Sequence, residues 1–268
     1  MSRFIAAMDH SGGSTGGVLE RYGQYDYDEV SKMEKVHAMR LRMVNSPDFN
    51  DKNIWGAILY QDTVKRGMVN VLDKKGIDTF LKIDNGCEEN GLLKDFFVRG
   101  MCDWATNGIG PKIYGTKMRS IVKEIEMVEP VLKQQFELAQ IISEYGLVPI
   151  IEPEVPIDHL EKELIEQELY ERLEHYLQGK DFNVILKLTP PETPNLYHNL
   201  TVKHNVERVV FLSGGYTTTE ACNRLGLNDN VSASFSRALS ERLRFDLTEE
   251  EFNVIISHNI KLITEASS

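Results

Sequence analysis

Eight short apolar runs alternate with longer amphipathic stretches, and no linker divides the 268 residues. That pattern predicts a (β/α)8 barrel, a TIM barrel, in a single domain spanning 1–268. Three observations carry the expectation. The first is the set of strand-length runs: RFIAAMD (3–9), IWGAILY (54–60), TFLKID (79–84), PKIYGTK (111–117), LVPIIEPE (147–154), NVILKLT (183–189), VERVVFLS (206–213) and VSASFSR (231–237). The second is helical spacing between them. Residues 127–145 place Val128, Leu132, Phe136, Ala139 and Ile142 on one face. Residues 158–178 do the same with Leu160, Leu164, Leu169, Leu173 and Leu177. Gly146 reads as a C-cap and Asp158 as an N-cap. A last helix, at about 248–265, opens on Thr-Glu-Glu-Glu, a capping box. The third observation is negative. A doubly wound open sheet is the other arrangement such alternation allows. Here the first strand-to-helix turn is DHSGGSTGG rather than G-x-G-x-x-G, no acidic ribose partner follows, and no Walker A sequence is present.

Composition narrows the function. Hydrophobic residues are 41% and charged residues 26%, as in a soluble globular protein. The net charge of −11 repels nucleic acid and anionic membrane, so neither is an expected partner. No run approaches the ~18 apolar residues of a membrane span, and the N-terminus lacks a leader-like h-region. Cys87, Cys102 and Cys222 are scattered and odd in number, a reduced, cytoplasmic pattern. Two N-x-S/T matches, at Asn199 and Asn230, are chance occurrences in such a protein. The seven histidines form no metal-binding constellation, so no metal and no cofactor is expected.

The run NVILKLTPP poses the sharpest question. Val184, Ile185, Leu186 and Leu188 belong in a core, and Pro190 and Pro191 end the strand, yet Lys187 interrupts it. A charged ammonium is costly to bury. An edge strand with an exposed lysine is the bland explanation. Side-chain alternation supports another. Ile185, Lys187 and Thr189 share one face, while the aliphatic face of Val184, Leu186 and Leu188 meets the helices. Lys187 then points into the barrel mouth beside Lys117. A like charge and partial desolvation both favour a neutral, nucleophilic amine.

Barrel active sites gather where strands end. Strand one ends at Asp9, followed by His10, Ser11 and Ser14. Strand three carries Lys82 and Asp84, and strand four ends at Lys117 with Arg119 just beyond. Strand five ends with Glu152 and Glu154, and strand six carries Lys187. Strand seven ends in Ser213, Gly214 and Gly215, and strand eight near Ser236 and Arg237. Each alone has a dull explanation as a loop residue. A solvated surface has no reason to gather them all on one rim. The loops after strands seven and eight commonly bind phosphate in barrels. Glycine admits close approach to an anion and arginine adds a bidentate charge. Ser11, Ser14 and Lys82 form a second cluster across the mouth. Two anion sites flanking a lysine suggest a substrate with a phosphate at each end.

The stretches AAMDHSGGST, FLKIDNG, YGTKMRS, GLVPIIEPEV, VILKLT, FLSGG and SFSRAL occur in this order from about Phe4 to Leu239. In them the chain resembles the class I fructose-bisphosphate aldolases, of the compact bacterial kind. The resemblance implies a lyase that reversibly cleaves fructose 1,6-bisphosphate to dihydroxyacetone phosphate and glyceraldehyde 3-phosphate through a lysine Schiff base. It implies Lys187 as the nucleophile, Glu152 as general acid/base with Glu154 in support, and Asp9 as acceptor of the C4-hydroxyl proton. It implies further that Lys117 assists catalysis with Arg119 as its neighbour, that Ser213, Gly214 and Arg237 hold the C1-phosphate, and that Ser11, Ser14 and Lys82 hold the other phosphate. The chain departs from the family at His10, where other members carry glutamate or glutamine, and at Ser236, where many carry glycine. It ends in ITEASS, without the tyrosine tail of the animal enzymes. The alternatives are a Schiff-base aldolase or transaldolase for another sugar phosphate, such as sedoheptulose 1,7-bisphosphate, or an inactive sugar-phosphate-binding barrel. A homo-oligomer is compatible with the sequence.

Overall fold

A computed structural model describes residues 3–12, 14–109 and 112–267, and of Ser14 and Val30 the backbone only. The apolar runs form β1 (Phe4–Met8), β2 (Ile54–Leu59), β3 (Asp78–Lys82), β4 (Gly115–Ile121), β5 (Val148–Glu154), β6 (Val184–Leu188), β7 (Val206–Phe211) and β8 (Val231–Ala233). All neighbours pair in parallel, in chain order from β1 to β8. The Ala7 N–H donates to the Phe235 carbonyl at 3.1 Å, joining β1 to the chain just past β8. The sheet thereby nearly closes on itself, as a (β/α)8 barrel requires.

The helices lie outside. They are α1 (Ser14–Arg21), α2 (Glu29–Asn45), α3 (Gln61–Lys65), α4 (Met68–Lys74), α5 (Val98–Asn107), α6 (Val128–Ser143), α7 (Lys162–Tyr176), α8 (Thr218–Leu225) and α9 (Glu249–Ala266). Between β6 and β7 there is a 3-10 turn, His198–Val202, in place of an α-helix. Pro190, Pro191 and Pro194 lie in that connection, and proline cannot supply helical N–H donors. Both sides of the barrel wall are apolar. Ile5, Ala7, Trp55, Ile58, Phe80, Ile150, Ile185 and Val210 fill the interior. Val184, Leu186 and Leu188 belong to the larger layer between barrel and helices. The alternation expected of β6 is therefore present, and Lys187 falls on the interior side.

Several sequence expectations hold in detail. The face of α6 buries Val128, Leu132, Phe136, Ala139 and Ile142. Gly146 follows it at φ +72°, the left-handed conformation that suits glycine. Thr248 and Glu251 make the reciprocal capping box of α9.

Three expectations are corrected. β8 stops at Ala233 rather than 237. β4 begins at Gly115 rather than 111 and runs through Lys117 and Arg119 to Ile121; Pro111 lies outside the described residues. The ladder starts where the chain can approach β5: a Cβ on Gly115 would sit 2.0 Å from the Val148 carbonyl oxygen. α7 begins at Lys162, and its N-cap residue is Glu161, not Asp158. Leu160 and Leu164 are exposed, and the buried face is Ile165, Leu169 and Leu173 together with Lys162 and Glu166. The charged pair is buried because it is mutually satisfied, with Nζ and Oε1 2.5 Å apart.

Candidate active site

Four charged side chains meet at the C-terminal mouth of the barrel. Asp9 follows β1, Lys117 projects from β4, Glu152 from β5 and Lys187 from β6. All are buried, with exposures of 8%, 2%, 3% and 4%. They form a chain of alternating sign. Lys187 Nζ lies 3.0 Å from Glu152 Oε1, Glu152 Oε2 lies 3.2 Å from Lys117 Nζ, and Lys117 Nζ lies 2.5 Å from Asp9 Oδ2. Two amines and two carboxylates cancel, which is how four charges persist out of water. Burial by itself would raise the Asp9 carboxyl. Lys117, then Lys187, outweigh it and hold that carboxyl well below the usual carboxylate range. Burial likewise opposes the charge on Lys117, and Asp9 and Glu152 more than reverse it, so that amine holds its proton more tightly than usual. Glu152 stands between the two amines and is the charge in contact with each.

Around this chain lies a cavity of about 730 Å³. Every residue singled out in the sequence lines it except Ser14, whose side chain is outside the described set. Near β1 and β3, Lys82 Nζ donates to Ser11 Oγ at 3.2 Å and pairs with Asp84 Oδ1 at 2.9 Å. Asp84 also accepts from the Gly86 N–H at 3.0 Å and the Arg119 N–H at 3.2 Å, tying the β3 loop to β4. Arg119 and Glu154 pair with each other, Nε to Oε2, at 2.6 Å.

Across the mouth, Ser213 is buried and Gly214 and Gly215 have φ of +55° and +114°. A Cβ on Gly214 would come within 2.6 Å of Ile157 Cγ2, so this turn needs glycine twice over. Arg237 Nη1 donates to the Gly215 carbonyl at 3.5 Å, and Ser236 Oγ sits 3.2 Å from His10 Nε2. Both anion-suited clusters thus line the same cavity as Lys187.

Residues that sequence reasoning passed over complete the mouth. Arg40 on α2 is 1% exposed, and its Nη2 donates to the His10 carbonyl at 2.7 Å, holding the turn after Asp9. Burial pushes its guanidinium down to about 10 against the pull of Asp9 and Asp62. A signal for it existed. Val36, Met39, Met43 and Val44 are buried on the same helix, and Arg40 falls inside that apolar face. Burial pushes His10 down to about 4, with Arg40, Arg21 and Lys117 acting against Asp9, so its ring is neutral at neutral pH. Arg21 and Tyr60 also line the cavity. Among the described residues no group of three or more His, Cys, Asp or Glu is placed to hold a metal ion, and no helix is long and apolar enough to cross a membrane.

No protein-family model matches the chain. The chain is 44% identical to the class 1 fructose-bisphosphate aldolase of Clostridium acetobutylicum, covering 98% of this chain and 95% of that one. Among solved structures it is similar to fructose-bisphosphate aldolase from Plasmodium falciparum, with a TM-score of 0.77 at 18% identity, over 98% of this chain and 90% of that chain. It is also similar to an archaeal fructose 1,6-bisphosphate aldolase, with a TM-score of 0.57 at 10% identity, over 98% and 94% of the two chains. At such low identity these structures speak for the barrel alone. The extent and identity of the Clostridium match, on a barrel whose mouth brings together lysines, carboxylates and two anion-suited clusters, place this chain in the class I fructose-bisphosphate aldolase family.

Proposed function

We propose that Lys187 is the Schiff-base nucleophile of a metal-independent cleavage of fructose 1,6-bisphosphate, with Glu152, Lys117 and Asp9 moving the protons. The observation that supports this most is the unbroken chain Lys187–Glu152–Lys117–Asp9. Glu152 touches Lys187, so it can take the proton that leaves a nucleophilic amine. Lys187 attacks the C2 ketone to give a carbinolamine. Glu152 returns a proton to the C2 hydroxyl, which departs as water and leaves an iminium. An archaeal fructose-1,6-bisphosphate aldolase of similar fold, with a TM-score of 0.53, holds the carbinolamine intermediate covalently on its catalytic lysine.

The iminium is the electron sink. Asp9, anionic beside Lys117, accepts the C4-hydroxyl proton. The C3–C4 pair flows toward nitrogen, giving an enamine and glyceraldehyde 3-phosphate. Protonation at C3 and hydrolysis then free dihydroxyacetone phosphate and Lys187. Ser213, Gly214, Gly215, Ser236 and Arg237 bind the C1-phosphate. Ser11, Ser14 and Lys82 bind the far phosphate. Arg119 and Glu154 brace each other on β4 and β5. The partners are sugar bisphosphates and triose phosphates, and the enzyme works in the cytoplasm.

A cleavage assay with fructose 1,6-bisphosphate, run with and without EDTA, tests the reading. Equal activity in both is the expected result. Loss of activity in EDTA contradicts it. Sedoheptulose 1,7-bisphosphate in the same assay sets the substrate range.

A further inference from the structure

Glu152 and Lys187 sit on neighbouring strands, yet at their level those strands share no ladder pair. The β5–β6 ladder has two register pairs, Ile150 with Ile185 and Ile151 with Leu186, against seven between β4 and β5. The cause is in the sequence. The Val122 N–H donates to the Glu154 carbonyl at 2.8 Å, so the main-chain groups of Glu154 face β4. Alternation turns those of Pro153 and Val155 toward β6. Pro153 has no N–H to offer, and the ladder stops.

A side chain takes over beyond the gap. Thr189 Oγ1 accepts from the Val155 N–H at 3.0 Å and donates to the Val155 carbonyl at 2.8 Å. One buried hydroxyl thereby satisfies both main-chain groups of Val155, the residue just past β5. Thr189 is 1% exposed and lies two residues past Lys187; Val155 lies three past Glu152. The next residue is fixed from outside, since Lys162 Nζ of α7 donates to the Pro190 carbonyl at 2.8 Å.

We infer that Thr189 is a positioning residue: its hydroxyl sets the spacing of Glu152 and Lys187 in place of the ladder that Pro153 interrupts. The inference rests on the Schiff-base reading. A chain end freed by about 1 Å is enough to misalign a proton transfer.

Thr189→Val keeps the shape and removes the hydroxyl; Thr189→Ser keeps the hydroxyl. In Thr189→Val, kcat should fall about tenfold to a hundredfold while KM stays within about twofold. Borohydride trapping of dihydroxyacetone phosphate on Lys187 should slow by a similar factor. Thr189→Ser should return kcat to within about threefold of wild type. If Thr189→Val does not fold, Thr189→Ala replaces it, since the smaller side chain leaves room for water to satisfy Val155; its kcat should still fall at least about fivefold. Folded variants with wild-type kcat overturn the inference, as does a rise in KM alone or a serine variant as slow as the valine one. Failure of the parent reading looks different: wild-type protein then gives no adduct on Lys187.

Discussion

The two ends of the barrel interior are filled by opposite chemistries. At the N-terminal end Trp55, Phe80 and Tyr114 pack edge to face, with centroids 5.4 to 5.5 Å apart. Arg208 closes over Trp55 at 4.2 Å. At the C-terminal end, the interior positions of β4, β5 and β6 carry Lys117, Glu152 and Lys187. Burial of apolar area, with Arg208 over Trp55 and the Tyr114 hydroxyl donating to Glu207, stabilises the first end. The second end persists only because each charge touches its opposite, and that arrangement adds little net stability. Damage at the closed end should therefore appear as lost stability, and damage at the open end as lost turnover.

The largest effect should come from Lys187→Met, which removes the amine and should lower kcat by about ten thousandfold or more in a steady-state assay. Glu152→Gln leaves both amines without a shared carboxylate, and kcat should fall by about a hundredfold to a thousandfold. The closed end should answer differently. Trp55→Ala should cost about 3–5 kcal/mol in urea unfolding, while kcat of the folded fraction stays within about threefold. Arg208→Met should be milder still, costing about 1 kcal/mol and leaving kcat unchanged. A large loss of kcat in either closed-end variant would break the division.

Acid titration sharpens it. The folded Asp9 carboxyl is held below its unfolded value, chiefly by Lys117 against burial. Its contribution to stability is thus present above the ordinary carboxylate pKa and is lost as pH falls through the folded value. Unfolding free energies of wild type and Asp9→Asn should converge as pH drops below about 4. A gap that stays constant down to about pH 2 would contradict this.

Much of this was legible in the residues. Strand positions, the interior orientation of Lys187 and the rim of charged residues followed from alternation and from where apolar runs stop. The misplaced start of β4 arose because Ile113 and Tyr114 look like strand residues, whereas Gly115 is where the chain can approach β5. Leu160 and Leu164 fit a helical face that the fold turns to solvent, since Lys162 and Glu166 satisfy each other inside. The contact of Glu152 with both amines could not be read, because it depends on three strands meeting. Arg40 was readable from its apolar neighbours; the bonds of Thr189 to Val155 were not, since they join residues 34 apart in sequence.

The most direct test is to incubate the protein with dihydroxyacetone phosphate, reduce with borohydride, digest, and locate the adduct by mass spectrometry. The account predicts one modified lysine, Lys187, with the same yield in EDTA. An active enzyme whose Lys187 stays unmodified, with the adduct on Lys117 or elsewhere, would contradict it.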